Sequence, residues 1–280
     1  MVTIGFVCHS QRPEAERLLR QTGRWLEERG HQVRLLDPEG APPWSAGGAA
    51  ALDGVSLAVS LGGDGTMLRA VDLVNDAGIP VLGVNLGHLG YLTAVEPDEL
   101  CPTLERFLGG DYAVEARMTL DLEVGGAGDG HRRHTALNDL VLTRPQGVHT
   151  VQAALSLGGE PFLSYAADSL IVATPTGSTA YNLSARGPIA SPLTRVQIVT
   201  PVAPHMLFDR SLVLPADEEI GLQVTDTRPA ELVVDGWPAG CLRPGEVLRC
   251  RGGRRDALFV TVGERNFHRI LKQKFNLADR

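Results

Sequence analysis

A glycine-rich stretch at residues 62–66 combines a phosphate-binding turn with a single carboxylate. It reads Gly-Gly-Asp-Gly-Thr and follows a run at residues 55–60 that is typical of a buried strand. Glycines let backbone amides approach a bulky anion, and a helix beginning near Thr66 would add free N–H groups and a positive dipole end. Asp64 would repel phosphate unless it accepts a proton from an attacking hydroxyl or helps to hold a bridging metal. These properties suit phosphoryl transfer, and a plain turn with Asp64 as helix cap is the alternative, which a shorter glycine pattern would favour.

The overall composition limits how this chain could bind phosphate. The chain has 280 residues, with 26 basic and 33 acidic side chains and a formal net charge of −7, which disfavours a nucleic acid or an anionic membrane as partner. Its only lysines are Lys272 and Lys274, so it has no Walker-type loop ending in Gly-Lys-Ser/Thr. A phosphate site must therefore be local, built from backbone amides and a few arginines. Arg69, one turn into the helix after the glycines, is a candidate donor, and a surface role is the equal alternative.

Three further stretches carry a resemblance to a known family. Leu-Asn-Asp-Leu occupies residues 137–140, and Pro-Val-Ala-Pro-His occupies residues 201–205. Between them, residues 168–182 read Asp-Ser-Leu-Ile-Val-Ala-Thr-Pro-Thr-Gly-Ser-Thr-Ala-Tyr-Asn. Together with the glycine stretch, in this order and at similar spacing, they resemble the NAD kinase family over about residues 60–215 and more weakly beyond. The glycine stretch alone also occurs in phosphofructokinases and lipid kinases, which lack the Thr-Pro-Thr-Gly-Ser-Thr string.

The resemblance implies a role for each matching position. Asp64 would be the general base for the adenosine 2′-hydroxyl of NAD, with Mg²⁺ accompanying ATP or polyphosphate as donor. Asp168 and Ala203 would often act from a neighbouring subunit, so a homodimer or homotetramer is expected. The residues expected to bind the dinucleotide are Gly63, Gly65, Asn138, Asp139, Asp168, Thr179, Ala180, Tyr181, Ser184 and Ala203. Those expected to bind phosphate are Gly62, Gly63, Gly65, Thr66 and Arg69.

Asp139 stands where glutamate is commonest in the family, and Ser169 replaces a usual glycine. Asp235 lies in a turn that resembles a family Asp-Gly-Gln turn with its last residue changed, and it is assigned no catalytic role.

Two domains are expected to position these residues. Apolar runs alternating with helical patterns predict an α/β domain with a mostly parallel, Rossmann-like sheet over residues 1–108. Short strands with frequent turn signals predict a β-rich NAD-binding domain over residues 109–262. An amphipathic helix at residues 265–277 is expected to pack back on the first domain and complete it over residues 263–280. Within the second domain, residues 178–184 are predicted to begin a helix with amides that face a pyrophosphate.

Smaller features of the sequence predict a helix cap, a surface loop and reduced cysteines. Ser10 is a candidate cap for the first helix, and residues 37–53 are predicted to form a mobile surface loop. Glycines at 83, 87 and 90 lack dehydrogenase fingerprint spacing, although residues 86–91 are a candidate pocket wall. Cysteines without metal or redox spacing predict reduced thiols in a cytoplasmic protein with no membrane partner. A lipid or sugar kinase and a catalytically silent dinucleotide-binding protein are the alternatives.

Overall fold

The computed structural model describes residues 1–9, 12–36, 52–87, 90–125, 131–145, 147, 149–263 and 266–277. The chain forms two compact units. The first comprises Met1–Ala116 and Ala257–Arg280, and the second comprises Arg117–Asp256. The chain therefore leaves the first unit once and returns to it near its end.

The first unit opens with alternating strands and helices. Its elements up to residue 117 are β1 (Thr3–Cys8), α1 (Pro13–Glu27), β2 (Gln32–Leu35), β3 (Val55–Gly62), α2 (Asp64–Val74), β4 (Val81–Asn85), α3 (Leu100–Leu108) and β5 (Ala113–Arg117). Its core joins Phe6, Leu57 and Leu82 of the strands to Leu26 of α1 and Leu104 of α3. Apolar side chains at helical spacing on α1 and α3 thus bury the strands that the sequence marks as continuously apolar.

The second unit is almost entirely β-structure. Its elements are β6 (Leu120–Gly125), β7 (Arg132–Ala136), β8 (Asp139–Thr143), β9 (Val151–Leu157), β10 (Glu160–Ala167), β11 (Ser169–Ala173), α4 (Tyr181–Ser184), β12 (Val196–Val202), β13 (Leu212–Pro215), β14 (Ile220–Val224), β15 (Ala230–Val234), β16 (Trp237–Leu242) and β17 (Val247–Gly252). Within the described residues they form two six-stranded sheets, ordered β10-β9-β14-β17-β6-β7 and β13-β12-β11-β8-β15-β16. Neighbouring strands in both sheets run antiparallel.

The two sheets of the second unit share one hydrophobic core. Leu122, Leu155 and Leu248 of the first sheet pack in the same cluster as Leu142 and Leu232 of the second. Strands such as β6 alternate buried and half-buried residues, as expected when only one face meets a core.

Strands β8 and β11 are buried on both faces. Their outer face carries a second cluster of Val141, Ile171, Ala173 and Ile198, against which Ala185 packs. The segment after β11 is therefore held against the sheet by apolar contacts.

The chain completes the first sheet with its last strand, β18 (Ala257–Thr261), which is followed by α5 (Phe267–Lys274). The described strands of that sheet are ordered β2-β1-β3-β4-β18-β5, and β1–β2, β1–β3, β3–β4 and β4–β18 are parallel pairs. The predicted fold class, an α/β domain with a mostly parallel sheet followed by a β-rich domain, is confirmed. The sequence placed β5 and β18 in the β-rich segment, whereas both belong to the first sheet.

The final helix returns to the first unit, as predicted. Asn266 caps it by accepting the N–H of Arg269 at 3.1 Å. The ammonium group of Lys274 lies 4.9 Å from the ring centroid of Tyr91. The apolar stripe is only partly covered, since Phe275 keeps 44% of its surface exposed.

Three sequence predictions fall wholly or partly outside the described residues. They are the cap at Ser10, most of the loop at residues 37–53, and the middle of the candidate pocket wall at residues 88–89. None of the helices in the described part of the chain combines the length and hydropathy needed to cross a bilayer.

Candidate active site

Three loops of the first unit leave its sheet at the same edge. Strands β1, β3 and β4 are parallel neighbours, so the residues after their carboxyl ends lie together. Backbone bonds link the loops: the N–H of His9 donates to the carbonyl of Leu61 at 3.0 Å, and that of Leu86 donates to Gly62 at 2.9 Å. Open α/β sheets bind ligands at this edge. The glycine stretch therefore lies where the fold places a ligand.

The carboxylate of Asp64 is held by the loop that follows β4. Its Oδ2 accepts the N–H of Tyr91 at 2.9 Å, and its Oδ1 accepts the N–H of Leu92 at 3.0 Å. Asp64 is the first residue of α2, whose N-cap is Gly63, so Asp64 is not the cap. Burial and, secondarily, the negative charge of Asp64 raise the pKa of the Tyr91 hydroxyl. Two amides thus give the carboxylate a fixed orientation.

The glycines around Asp64 divide into two pairs. A Cβ added to Gly62 would lie 2.7 Å from the Cβ of Thr66, and one added to Gly90 would overlap the carboxylate of Asp64. Nothing lies within 4 Å of a Cβ built on Gly63 or Gly65. Gly62 and Gly90 therefore shape the turn, whereas the backbone at Gly63 and Gly65 is open to a bound group.

The first turn of α2 supplies the remaining predicted phosphate contacts. The N–H of Met67 bonds back to the carbonyl of Gly63 at 3.1 Å. The amides of residues 64–66 precede it, where helix N–H groups have no intrahelical acceptor. Thr66 is buried and Arg69 is half-buried one turn further along the helix. The turn can present amides and a guanidinium to an anion.

In the second unit, the half-buried Asp235 holds the predicted adenosine-binding residues through hydrogen bonds. Asp235 Oδ1 accepts the N–H groups of Asn138 at 2.7 Å and Asp139 at 3.0 Å, and Oδ2 accepts that of Leu137 at 2.8 Å. Asp235 has a positive φ of 50°, and Gly236 follows at 83° in the hairpin between β15 and β16. The sequence assigned Asp235 no catalytic role, and the structure shows it positioning the backbone at residues 137–139.

Two neighbouring carboxyl groups in this turn are unusually basic. Burial and the negative charge of Asp235 raise the pKa of Asp139 to about 7. Burial also raises the pKa of Asp235 to about 6, opposed by its three amide hydrogen bonds. Three such bonds stabilise the ionised form of Asp235, whereas Asp139 accepts one backbone N–H, from Tyr181, so Asp139 has the higher pKa of the two.

The Thr-Pro-Thr-Gly-Ser-Thr segment folds tightly over the Asn138 turn. The N–H of Thr174 donates to the carbonyl of Asn138 at 2.8 Å, and its hydroxyl donates to the carbonyl of Leu137 at 2.5 Å. A Cβ on Gly177 would lie 2.7 Å from the Cα of Asn138. Thr179 and Ala180 are half-buried, whereas Tyr181 and Ser184 are exposed. The segment therefore brings these four residues and the Asn138 turn to one end of the sheet.

The predicted helix over residues 178–184 is wrong in length. Gly177–Thr179 form a single 3-10 turn, and α4 has only four residues. Hydrogen bonds from a side chain hold this segment where helical bonds would otherwise do so. The amide of Asn182 donates to the carbonyls of Ser178 at 3.1 Å and Pro188 at 3.0 Å. The hydroxyl of Ser178 is buried and donates to the carbonyl of Pro175 at 2.6 Å.

Asp168 and Ala203 lie at the other end of β11. Asp168 donates its N–H to the carbonyl of Val202 at 2.9 Å, and its Oδ1 lies 3.1 Å from Nε of Arg144. Ala203 has a positive φ of 46°, which is uncommon for a residue with a side chain. Six residue steps along β11 separate Asp168 from Thr174, which bonds Asn138, so roughly 20 Å lies between these two residues and the Asn138 turn. Within the second unit, the Asn138 turn and the pair Asp168–Ala203 therefore form two separate groups.

Comparison with known proteins identifies the family. The profile of the ATP-NAD kinase N-terminal domain matches residues 45–112, and that of the ATP-NAD kinase C-terminal domain matches residues 137–262. An NAD kinase from Heliobacterium modesticaldum is 39% identical over 280 residues, with 98% of each chain covered. One from Moorella thermoacetica is 37% identical and covers 98% of this chain and 89% of its own. The chain belongs to the NAD kinase family. The predicted family is thereby confirmed, and the protein is a kinase.

Solved structures agree with the fold of this NAD kinase family member. A yeast NADH kinase complexed with NADH superposes with a TM-score of 0.88 at 24% identity, covering 100% of this chain and 89% of that one. An NAD kinase from Archaeoglobus fulgidus in complex with ATP gives 0.77 at 23% identity, covering 99% and 100%.

Some contacts that hold the predicted site residues of this NAD kinase family member were missed by the sequence interpretation. They are the amides of Tyr91 and Leu92 that hold Asp64, the Asp235 carboxylate, and the Arg144 partner of Asp168. The Asp-Gly pair at residues 235–236 is a recognisable hairpin signal. The residues whose N–H groups Asp235 accepts lie 96 to 98 positions earlier in the chain, and no local pattern reveals that pairing.

Proposed function

We propose that the protein phosphorylates the 2′-hydroxyl of the adenosine ribose of NAD to give NADP, with ATP or polyphosphate as donor and Mg²⁺ as cofactor. The observation that carries this proposal is the Asp64 carboxylate, fixed by two amides beside the open backbone of Gly63 and Gly65. Relatives named NAD kinase, and neighbours complexed with NADH or ATP, support the same substrates.

In the proposed reaction Asp64 acts as general base. Its carboxylate accepts the proton of the 2′-hydroxyl while that oxygen attacks the terminal phosphorus of the donor. A new P–O bond forms as the bond between the terminal phosphorus and the preceding phosphate breaks, and ADP is the leaving group when ATP is the donor. Because both Asp64 oxygens already accept an N–H, the carboxylate cannot rotate freely away from the hydroxyl. A positioned base typically contributes on the order of 10²–10⁴-fold to the rate.

The phosphate groups are proposed to lie along residues 62–66. Amides of the first turn of α2 and the guanidinium of Arg69 would stabilise the negative charge on the transferring group. Thr66 supports this turn by packing under Gly62, and Gly63 and Gly65 leave room for the anion. This arrangement needs no lysine, in agreement with a chain whose two lysines both lie near its C-terminus.

The residues present fit a magnesium ion that arrives with the donor. Mg²⁺ prefers oxygen ligands and is usually bound by one or two carboxylates together with phosphates and water. In the described part of the chain no group of three or more His, Cys, Asp or Glu is placed to hold a metal by itself. The donor phosphates and water would therefore hold the ion, where it would neutralise negative charge, and Asp64 would stay available as the base.

The dinucleotide is proposed to bind through the second unit. Asn138 and Asp139 offer acceptors and donors to the adenine amino group and ribose hydroxyls. Tyr181, 42% exposed, offers a ring face for stacking. Thr179, Ala180 and Ser184 would form the surrounding wall, so that the adenosine half of NAD is bound where the Asn138 turn is held by Asp235.

A homodimer or homotetramer is proposed to complete this site. Asp168 and Ala203 lie at the far end of β11 from the Asn138 turn, which supports the role that the family resemblance implies for them, in the dinucleotide site of another copy. Cytoplasmic location, and the absence of nucleic acid or membrane partners, stay predictions from composition.

The first test is NADP formation by the purified protein from NAD with ATP, and separately with polyphosphate. Asp64→Asn is expected to lower kcat on the order of 10²–10⁴-fold while NAD still binds, because the predicted dinucleotide residues lie mainly elsewhere. An amide side chain offers one acceptor oxygen, so one loop N–H loses its partner and stability falls by about 1–3 kcal/mol. Near wild-type turnover by a folded Asp64→Asn protein would show that Asp64 is not the base.

A further inference from the structure

A threonine hydroxyl lies beside the Asp64 carboxylate without a hydrogen bond of its own. Thr93 is 3% exposed, and its Oγ1 has no hydrogen-bond partner in the described part of the chain. Buried hydroxyl groups are nearly always paired, because an unpaired one loses its bonds to water on folding. A hydroxyl at this position therefore costs stability, and none of the roles proposed above uses it.

Gly90 brings the hydroxyl and the carboxylate side by side. A Cβ built on Gly90 would overlap Oδ1 of Asp64 and lie 2.7 Å from Oγ1 of Thr93. Both oxygens therefore border the space that the lack of a side chain at Gly90 leaves open. Oδ1 is also the oxygen that accepts the N–H of Leu92 at 3.0 Å. The amide and the hydroxyl thus approach the same oxygen of the carboxylate.

Strand β4 fixes the backbone that carries this hydroxyl. The N–H groups of Ala94 and Val95 both donate to the carbonyl of Gly83, at 3.0 Å and 3.1 Å. A Cβ on Gly83 would lie 3.0 Å from the Cα of Thr93, so the two backbones are in close contact. The β-branched side chain is stiff at χ1. Oγ1 of Thr93 is therefore held near Asp64, while the hydroxyl hydrogen can still rotate.

The two amides and the hydroxyl differ in the form of Asp64 that they stabilise. The N–H groups of Tyr91 and Leu92 can only donate, so they favour the ionised carboxylate. A general base has to bind a proton during the reaction, and its acid form then has an O–H group that needs an acceptor. A hydroxyl oxygen accepts as well as donates, and that of Thr93 is not engaged by any other described group.

We propose that Thr93 is a positioning residue for the proposed base, and that its hydroxyl accepts a hydrogen bond from Asp64 once Asp64 carries the substrate proton. The inference rests on the proposed function and deepens it. In this step the O–H bond of the substrate breaks, an O–H bond forms on Asp64, and the new O–H donates to Oγ1 of Thr93. The covalent bonds of Thr93 do not change. Two amides hold the carboxylate before proton transfer, and the hydroxyl stabilises the acid after it.

The kinetic test is Thr93→Val, because valine has the shape of threonine without the hydroxyl. We expect kcat to fall at least about tenfold, while the KM for NAD and for the donor each change less than about twofold. Thr93→Ser keeps the hydroxyl and is expected to keep kcat within about threefold of the wild type. A kcat unchanged in Thr93→Val, or lowered equally in Thr93→Ser, would overturn the inference.

Thr22→Val is the matched control for this substitution. Thr22 is also buried and also has an unpaired hydroxyl among the described residues, but it lies on α1 and takes no part in the contacts of Asp64. Its loss of a hydroxyl is therefore expected to leave kcat unchanged. A fall in kcat in Thr22→Val as large as that in Thr93→Val would show that the effect is not specific to the neighbour of Asp64.

A stability measurement tests the same contact without turnover. In Asp64→Asn the NH₂ group can donate to Oγ1 of Thr93, as the O–H of the protonated acid would. Thr93→Val is therefore expected to leave the midpoint of denaturant unfolding of the otherwise wild-type chain unchanged or higher, and to lower that of the Asp64→Asn chain. Thr22→Val is expected to shift the two midpoints equally.

This comparison separates the inference from the proposed function. If the two substitutions are coupled in a protein that forms no NADP, the contact between the side chains is supported and the result counts against the proposed function alone. If the protein forms NADP but Thr93→Val shifts both midpoints equally, the role of Thr93 is overturned and the proposed function stands.

Discussion

The glycines around Asp64 allow the shape of the turn and its binding capacity to be tested separately. Gly65→Ala adds a methyl group where nothing lies within 4 Å, so the free energy of unfolding should be unchanged or slightly higher. If phosphate approaches this backbone, the same methyl group lowers kcat/KM for the donor at least about tenfold, a loss of about 1.4 kcal/mol in transition-state stabilisation. Unfolding by denaturant and steady-state kinetics on the same preparation give both quantities.

Gly90→Ala is the contrasting substitution. Its methyl group overlaps the Asp64 carboxylate, so the side chain must move or the loop must shift. We expect a loss of stability of about 1–3 kcal/mol, typical of overpacking, together with a large fall in kcat. If Gly65→Ala were the destabilised protein and Gly90→Ala the stable one, the division of the glycines into shaping and open positions would be wrong.

Asp139 gives the predicted dinucleotide site a dependence on pH near neutrality. Its pKa in the folded protein is about 7, above the ordinary value of 3.8. The folded state therefore binds more protons than the unfolded state between those two values, and the contribution of Asp139 to stability falls as pH rises through that window. Ionised Asp139 accepts hydrogen bonds from hydroxyl and amino groups, so the KM for NAD should fall between pH 6 and pH 8.

The control for this titration is Asp139→Asn, which is uncharged at every pH. We expect its KM for NAD to stay level from pH 6 to pH 8 and its stability to vary less steeply between pH 4 and pH 7 than that of the wild type. A wild-type KM that is independent of pH would show that this carboxyl group does not contact the dinucleotide.

At the scale of elements, the hairpin between β15 and β16 acts on a distant turn. In Asp235→Asn the remaining side-chain oxygen can still accept two of the three N–H groups, and the new NH₂ group, itself a donor, faces the third. We expect a loss of about 1–3 kcal/mol in stability, and a higher KM for NAD with little change in kcat, because Asp235 positions residues 137–139 without touching the reaction. Asp226→Asn, in a turn where the carboxylate accepts the N–H of Thr227, is the control.

Local sequence patterns predicted most elements of the first unit correctly, but they predicted less of the predicted dinucleotide site in the second unit. The strand before residues 62–66 is a continuous apolar run that ends at a glycine break, so the end of β3 and the start of α2 were predicted within two residues. Residues 178–184 carry helix-like spacing, but buried hydrogen bonds from Asn182 to segments before and after it replace helical ones.

Long-range pairing explains the other differences. Strands β5 and β18 look like any short apolar strand, and only their pairing within the first sheet shows that they belong to the first unit. The resemblance supplied Asp64 and Asn138, whereas the groups that hold them, Leu92 and Asp235, come from loops far away in the chain.

At the scale of the whole molecule, the distance along β11 leads to a prediction about which copies of the chain contribute residues to one site. Asp168 lies at one end of that strand, and the residues that its own chain would offer to adenosine lie at the other. If the proposed oligomer completes the site, one site takes Asp64 and Asn138 from one copy and Asp168 from its partner. Asp64→Asn and Asp168→Ala would then each remove one residue of the same site, and the two residues belong to different copies.

Co-expression of these two inactive variants is expected to restore activity. Random pairing makes about half of the dimers mixed, and each mixed dimer has one site with both defects and one with neither, so about a quarter of wild-type activity returns. A tetramer built from such pairs gives the same fraction. The measurement is NADP formation by the co-purified mixture, compared with a simple blend of the separately purified variants. Activity no greater than that of the blend would place Asp168 and Asp64 in one copy's site, or Asp168 outside the site altogether, because only exchange of a residue between copies rebuilds an intact centre from two defective chains.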